Sequence, residues 1–217
     1  MKITSVDPQK NTPRRFNIFL DGEFAFGAGE DLVVNRRLVV GKEINLEDLD
    51  KILFEAEVGK MMERMYRWFG IRQRSEKEAR EYLRNLSFKR KIKEKDEISQ
   101  IVVDSIVDKL KKKGILDDVQ FARAWTESRL RKYGPQRIKA ELFQKGIGRE
   151  IIEEVISLQS TVDREKEVAV KLLAKKVEVW RNLPSLVFKK KAYDFLLRRG
   201  FGYSQVKDIV ANFIEKR

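Results

Sequence analysis

The sequence has no cysteine and no histidine. The first absence excludes disulfides and thiolate chemistry. The second removes the commonest general base and the commonest metal ligand. No run of about 18 apolar residues and no signal-peptide pattern is present, which predicts a cytoplasmic chain with no membrane association. Phosphate-loop, dinucleotide and nucleophile motifs are missing as well; Gly27-Ala28-Gly29 is too short for a dinucleotide fingerprint. Carboxylates are plentiful, as in Asp117/Asp118, Glu153/Glu154 and Glu94/Asp96/Glu97. Each group falls at a helix start or on a polar face, where capping or solvation accounts for it. The chain therefore reads as a non-enzyme, with no cofactor and no metal.

What the sequence does have is positive charge. Its 217 residues carry 47 Lys and Arg against 34 Asp and Glu, a formal net charge of +13. Such a balance favours an anionic partner, either nucleic acid or an acidic protein surface. The excess is uneven: residues 1–50 are net −2, residues 51–110 and 111–160 are +4 each, and residues 161–217 are +7. The field grows toward the C-terminus.

Periodicity divides the chain into a small β element and tandem helical units. Ile3–Val6 suits a strand. Phe16, Ile18 and Leu20 alternate, as do Phe24 and Phe26, and Asp21-Gly22 between them is a hairpin signal. Gly27–Gly29 reads as a bend leading to a short helix, Glu30–Asn35, and Leu38–Ile44 as a further extended piece. Asn45 and Asp48 open a long helix that Gly70 ends. Ser75 and Glu78 have capping-box spacing, as do Asp117 and Gln120. Phe88–Asp96 reads as a charged turn, and Ile98–Leu110 as an amphipathic helix. Phe121, Ala122, Trp125 and Tyr133 share a helix face, Gly134-Pro135 starts the next helix, and Gly146 suits a left-handed C-terminal cap with Ile147 as its apolar contact. A helix over Asp163–Lys176 runs on toward Trp180, Leu183-Pro184-Ser185 breaks it, and helices follow at Lys189–Arg199 and Tyr203–Phe213. A shift of 54 residues superposes Gly146, Gly148 and Leu142 on Gly200, Gly202 and Leu196; a weaker match at 59 superposes Leu83 on Leu142. The expected fold is mainly α: tandem three-helix repeats in a curved array with a small N-terminal β-hairpin element. Its parts are 1–50 (hairpin and short helix), 51–113 (repeat 1), 114–160 (repeat 2) and 161–217 (repeat 3).

Three-helix units invite a helix-turn-helix reading, in which the third helix enters the major groove. Charge opposes it. The third helices of the first two units show Asp104 and Asp108, or Glu150, Glu153 and Glu154, to phosphate that would repel them, and that of the last has Lys207 beside Asp208. The second helices and their joints carry the cations: Lys89, Arg90, Lys91 and Lys93; Arg137, Lys139 and Lys145; Lys189, Lys190, Lys191, Arg198 and Arg199. They form a candidate strip for a partner or DNA, the plain alternative being solvated faces. Arg129, inside the aromatic stripe, needs a counter-charge if buried; Asp117 or Asp118 could supply it in a structural ion pair.

The stretches SEKEAREYL (Ser75–Leu83), KKGILDDVQFARAWTESR (Lys112–Arg129), YGPQRIKAELFQKGI (Tyr133–Ile147) and AYDFLLRRGFGY (Ala192–Tyr203) resemble the RecX family of bacterial recombination regulators. The resemblance covers roughly residues 57–217. It implies a monomeric protein that binds RecA, free or in its filament on single-stranded DNA, and lies in the filament's helical groove. It further implies inhibition of ATP hydrolysis and strand exchange, or promotion of filament loss, and so a limit on recombination and the SOS response. A nonspecific DNA-binding protein acting without RecA, and a helical scaffold for another acidic protein, remain alternatives on the residues alone.

Overall fold

A computed structural model describes residues 1–93 and 96–215. The chain is mainly helical with a small antiparallel sheet at its N-terminus. It divides into two compact units: residues 1–73 with 80–116, and residues 74–79 with 117–217.

In the first unit, strands β1 (Ile3–Gln9), β2 (Thr12–Leu20) and β3 (Glu23–Gly29) form a meander in sequence order. Asp21 (φ +50°) and Gly22 (φ +93°) turn the second hairpin, both in the left-handed region that the tightest hairpin turns require. Ile3, Ile18, Leu20, Phe26 and Ala28 form one buried face. The alternation read for Phe24 and Phe26 fails here. Ile18 pairs with Phe26 but Phe19 pairs with Phe24, so Ala25 is an extra residue on β3. This bulge sends Phe24, 60 % exposed, to the opposite face, edge-on to Phe19 at 5.9 Å. Gly27–Gly29 complete β3 rather than bending away, and α1 (Glu30–Asn35) starts directly after them. Leu38–Ile44 is turns with a single bridge, Lys2 to Glu43.

The sheet packs on α2 (Leu46–Phe69) through Ile52 and Ala56. Asn45 caps α2, its side chain accepting from the Asp48 N–H at 2.7 Å. Ser75 and Glu78 make a reciprocal capping box at the start of α3 (Glu76–Lys91). The first four residues of the expected charged turn, 88–91, are the end of α3, and residues 92 and 93 form a turn; Glu94, named above among the carboxylates, lies outside the described residues. Ser99 caps α4 (Gln100–Lys112), which buries Val103, Ile106, Val107 and Leu110.

The second unit contains two helix triplets, each with its own core. The first is α5 (Asp118–Leu130), α6 (Pro135–Gln144) and α7 (Arg149–Gln159), packed through Phe121, Ile138, Leu142, Ile147, Ile152 and Val155. Tyr133 lies beyond the end of α5, in the turn before α6. The second triplet is α8 (Val162–Trp180), α9 (Ser185–Arg198) and α10 (Tyr203–Glu215), around Leu173, Phe188, Leu196, Phe201, Val206 and Ile209. Helix α9 begins four residues earlier than the sequence suggests, directly after Pro184. Both triplets turn their second corner alike. Gly146 (φ +81°) and Gly200 (φ +84°) are left-handed, and the next N–H, of Ile147 or Phe201, reaches back to the carbonyl of Leu142 or Leu196.

Candidate partner-binding surface

Of helices α5 to α10, α9 has the largest net positive charge, with four cations against one carboxylate. Phe188, Ala192 and Leu196, four residues apart, turn inward and are fully buried. Successive residues rotate by about 100°, so Lys189, Lys190 and Lys191 fan around the three remaining sides. Two adjacent stripes face outward. One holds Leu186, Lys190 and Leu197; the other holds Val187, Lys191 and Arg198, with Asp194 the carboxylate among them. Leu186 is 82 % exposed. Lys189, Lys190 and Lys191 meet no carboxylate among the described residues, and the Arg198 Nε donates to the Asp194 carbonyl at 3.0 Å. The face is both cationic and apolar. Sequence reasoning missed its apolar half, because the helix read from Lys189 leaves Leu186 and Val187 outside it, whereas α9 starts at Ser185.

The other candidate cations divide by whether they are already engaged. Arg90 pairs with Glu57, and Lys91 with Glu97 at 2.7 Å, which raises the lysine's pKa. Lys139 pairs with Glu153, so that glutamate is not simply a solvated charge. Lys89 and Lys93 are exposed and meet no carboxylate among the described residues. The structure does not gather the twelve cations into one free set.

Arg137, Lys145 and Arg199 belong to two copies of one joint in the second unit. In the first copy, the Gly134 N–H donates to the Arg199 carbonyl at 2.8 Å and the Gln136 N–H to the Gly200 carbonyl at 3.2 Å. Arg199 Nη1 donates back to the Lys132 carbonyl at 2.8 Å. Tyr133 sits between the guanidinium groups of Arg137, 4.1 Å from its ring centre, and Arg199, at 5.8 Å. In the second copy, Ser75 Oγ donates to the Lys145 carbonyl at 2.7 Å, Lys77 Nζ donates to the Gln144 carbonyl at 3.0 Å, and Lys145 Nζ binds Glu78 at 2.6 Å. Gly134 follows Ser75 by 59 residues and Arg199 follows Lys145 by 54, the two shifts seen in the sequence. The start of one second helix thus docks on the carbonyl just before another's corner glycine.

Arg129 is half-buried, and its partner is Glu141, not Asp117 or Asp118. Its Nε lies 3.1 Å from Glu141 Oε2, without an aligned hydrogen bond, and its guanidinium lies 4.4 Å from the Trp125 ring. Glu141 also accepts from Trp125 Nε1 at 3.1 Å and Arg137 Nε at 3.2 Å. Asp117 is occupied as the cap of α5, accepting from the N–H groups of Val119 and Gln120; Asp118 accepts from the Glu76 N–H at 2.9 Å. Each aspartate satisfies backbone donors at a helix start, which leaves the guanidinium to the next helix.

The sequence has near full-length relatives. It is 32% identical to regulatory protein RecX of Clostridium beijerinckii over 96% of this chain and 94% of that one. It is 31% identical to regulatory protein RecX of Bacillus velezensis over 94% of this chain and 74% of that one. The chain belongs to the RecX family. Three RecX family models match it: the regulatory protein RecX N-terminal domain at residues 1–45, the second three-helix domain at 117–156 and the third three-helix domain at 163–210. A crystal structure of regulatory protein RecX superposes with a TM-score of 0.72 at 27% identity, covering 100% of this chain and 99% of that one. RecX from Lactobacillus salivarius shares the fold, with a TM-score of 0.61 at 22% identity over 74% of this chain and 97% of that one. The outward face of α9 lies within the third RecX domain.

Proposed function

We propose that this RecX-family protein regulates the RecA recombinase in the cytoplasm. As a monomer it binds RecA and its single-stranded-DNA filament in the helical groove, inhibits ATP hydrolysis and strand exchange, and so limits recombination and the SOS response. The supporting observation is the outward face of α9. Phosphate alone calls for cations, whereas Leu186, Val187 and Leu197 among Lys190, Lys191 and Arg198 suit an acidic protein surface with apolar relief. Occupancy without bond chemistry is sufficient, provided the protein binds one filament state more tightly than another. The parts proposed to do this are 1–50, 51–113, 114–160 and 161–217, the last three being three-helix repeats.

The test is RecA ATP hydrolysis on single-stranded DNA with this protein added in steps. The rate falls to a plateau as the filament fills. A rate unchanged at saturating protein rejects the reading, and binding to bare DNA with no effect on RecA would replace it with a nonspecific DNA-binding function.

A further inference from the structure

In the first unit, the end of α2 and the following turn carry a second cationic site that the partner face does not use. Residues 60–73 hold four cations, Lys60, Arg64, Arg67 and Arg72, and one carboxylate, Glu63. Glu63 is already bound to the buried Arg15 at 2.9 Å. Arg64, Arg67, Trp68, Ile71 and Tyr82 line an open cavity of about 430 Å³, inside the range of about 300–1,000 Å³ typical of small-ligand sites. Among the described residues no acidic side chain lines it. Trp68 and Tyr82 stack with ring centres 4.3 Å apart, and Arg64 Nε donates to the Tyr82 hydroxyl at 2.8 Å, which fixes that ring. Arg67 is exposed and meets no carboxylate among the described residues. A helix C-terminus favours cations in its own right, which accounts for Arg67 taken singly. It does not account for a concave surface of two stacked rings and two arginines, with Ile71 76 % exposed at its rim.

We propose that this cavity holds one unstacked base of single-stranded DNA against the Trp68–Tyr82 pair while Arg67 binds the adjoining phosphate. Every base offers a π-face, and a cationic groove with aromatic rings is the sequence-independent way to hold a single strand. Duplex DNA keeps its bases stacked and cannot fill the site. The biological use of this site rests on the proposed RecA reading, but its test needs no RecA, so the two fail separately.

The experiment is fluorescence anisotropy of labelled oligo-dT titrated with the full chain, across salt concentrations. Trp68→Ala lowers affinity about tenfold or more. Arg67→Gln, a change at an exposed side chain, reduces the slope of log affinity against log salt by about 0.7, one single-strand phosphate. An abasic oligonucleotide binds the wild type as weakly as oligo-dT binds Trp68→Ala, and duplex of the same length does no better. Wild-type affinity in both variants, equal affinity for abasic and dT strands, or no binding of oligo-dT by the wild type would each overturn the assignment. Circular dichroism confirms that the variants are folded.

Discussion

Replacing Gly200 by alanine probes the joint on which the second unit depends. The backbone there has φ +84°, which costs an L-residue about 1 kcal/mol. The added methyl would point at the start of α6, 2.6 Å from Arg137 Cβ and 3.0 Å from Arg137 Cα. That obstacle includes main chain, so no side-chain rotation relieves it, and such overpacking costs about 1–3 kcal/mol. Moving it aside stretches the bonds to the Arg199 and Gly200 carbonyls, each contributing about 0.5–1.5 kcal/mol. With the two bonds weakened rather than lost, the total is roughly 2–5 kcal/mol. At about 2–4 °C per kcal/mol for a chain of this size, Tm should fall by roughly 4–20 °C. Differential scanning calorimetry reads it directly. Gly146→Ala should also lower Tm: the backbone there has φ +81°, and the added methyl would lie 2.6 Å from Lys77 Cβ, which rotation of that side chain does not move. Gly148→Ser should be neutral or slightly stabilising: the position is an N-cap at φ −63°, and a Cβ there meets nothing within 4 Å. A Gly200→Ala protein melting within about 1 °C of wild type would refute the joint as described.

A double-mutant cycle on Arg129 and Glu141 should give a coupling of about 1 kcal/mol in urea unfolding, the pair being partly exposed. The same cycle on Arg129 and Asp117 should give none, although Asp117→Ala alone costs about 1 kcal/mol as a lost cap. Stability also has a signed pH dependence. The two-pronged bond from Arg36 holds the Glu55 carboxyl below its usual pKa, and Arg80 with Gln100 does the same for Asp104. A depressed folded-state pKa gives stability that is present above the ordinary carboxylate range and lost as pH falls through the depressed value. Tm should therefore be flat from about pH 6 to 8, where no histidine titrates, and should fall in acid. Arg36→Gln should shallow that fall; an acid profile identical to wild type would contradict the Glu55 assignment.

Local features were the legible ones. Asn45, Ser75 with Glu78, and Asp117 cap their helices because short polar side chains at those positions satisfy orphan N–H groups whatever the tertiary fold. Gly146 and Gly200 announced their corners because a left-handed backbone favours glycine. The bulge at Ala25 was not legible: alternation presumes an unbroken register, and here one residue is inserted. Nor was the partner of Arg129, since Glu141 meets it only once α6 folds back. The candidate surface was half legible. Charge pointed to α9, but the count of lysines could not tell Lys190 and Lys191, which meet no carboxylate among the described residues, from Lys139 and Lys145, which are held by glutamates. Arg199, which the sequence placed in the same strip, is built into the Gly134 joint, so reversing its charge would confound binding with folding.

The central claim is that the outward face of α9 engages a RecA filament rather than bare DNA. Its most direct test is the affinity of the wild type and of the triple variant Lys190→Glu, Lys191→Glu, Arg198→Glu for RecA-coated and for uncoated single-stranded DNA, with Tm measured alongside. The account predicts tighter binding to the coated strand, a loss of at least about tenfold there in the triple variant for three reversed contacts, and a Tm close to wild type. Equal affinity of wild type and triple variant for the coated strand would contradict it.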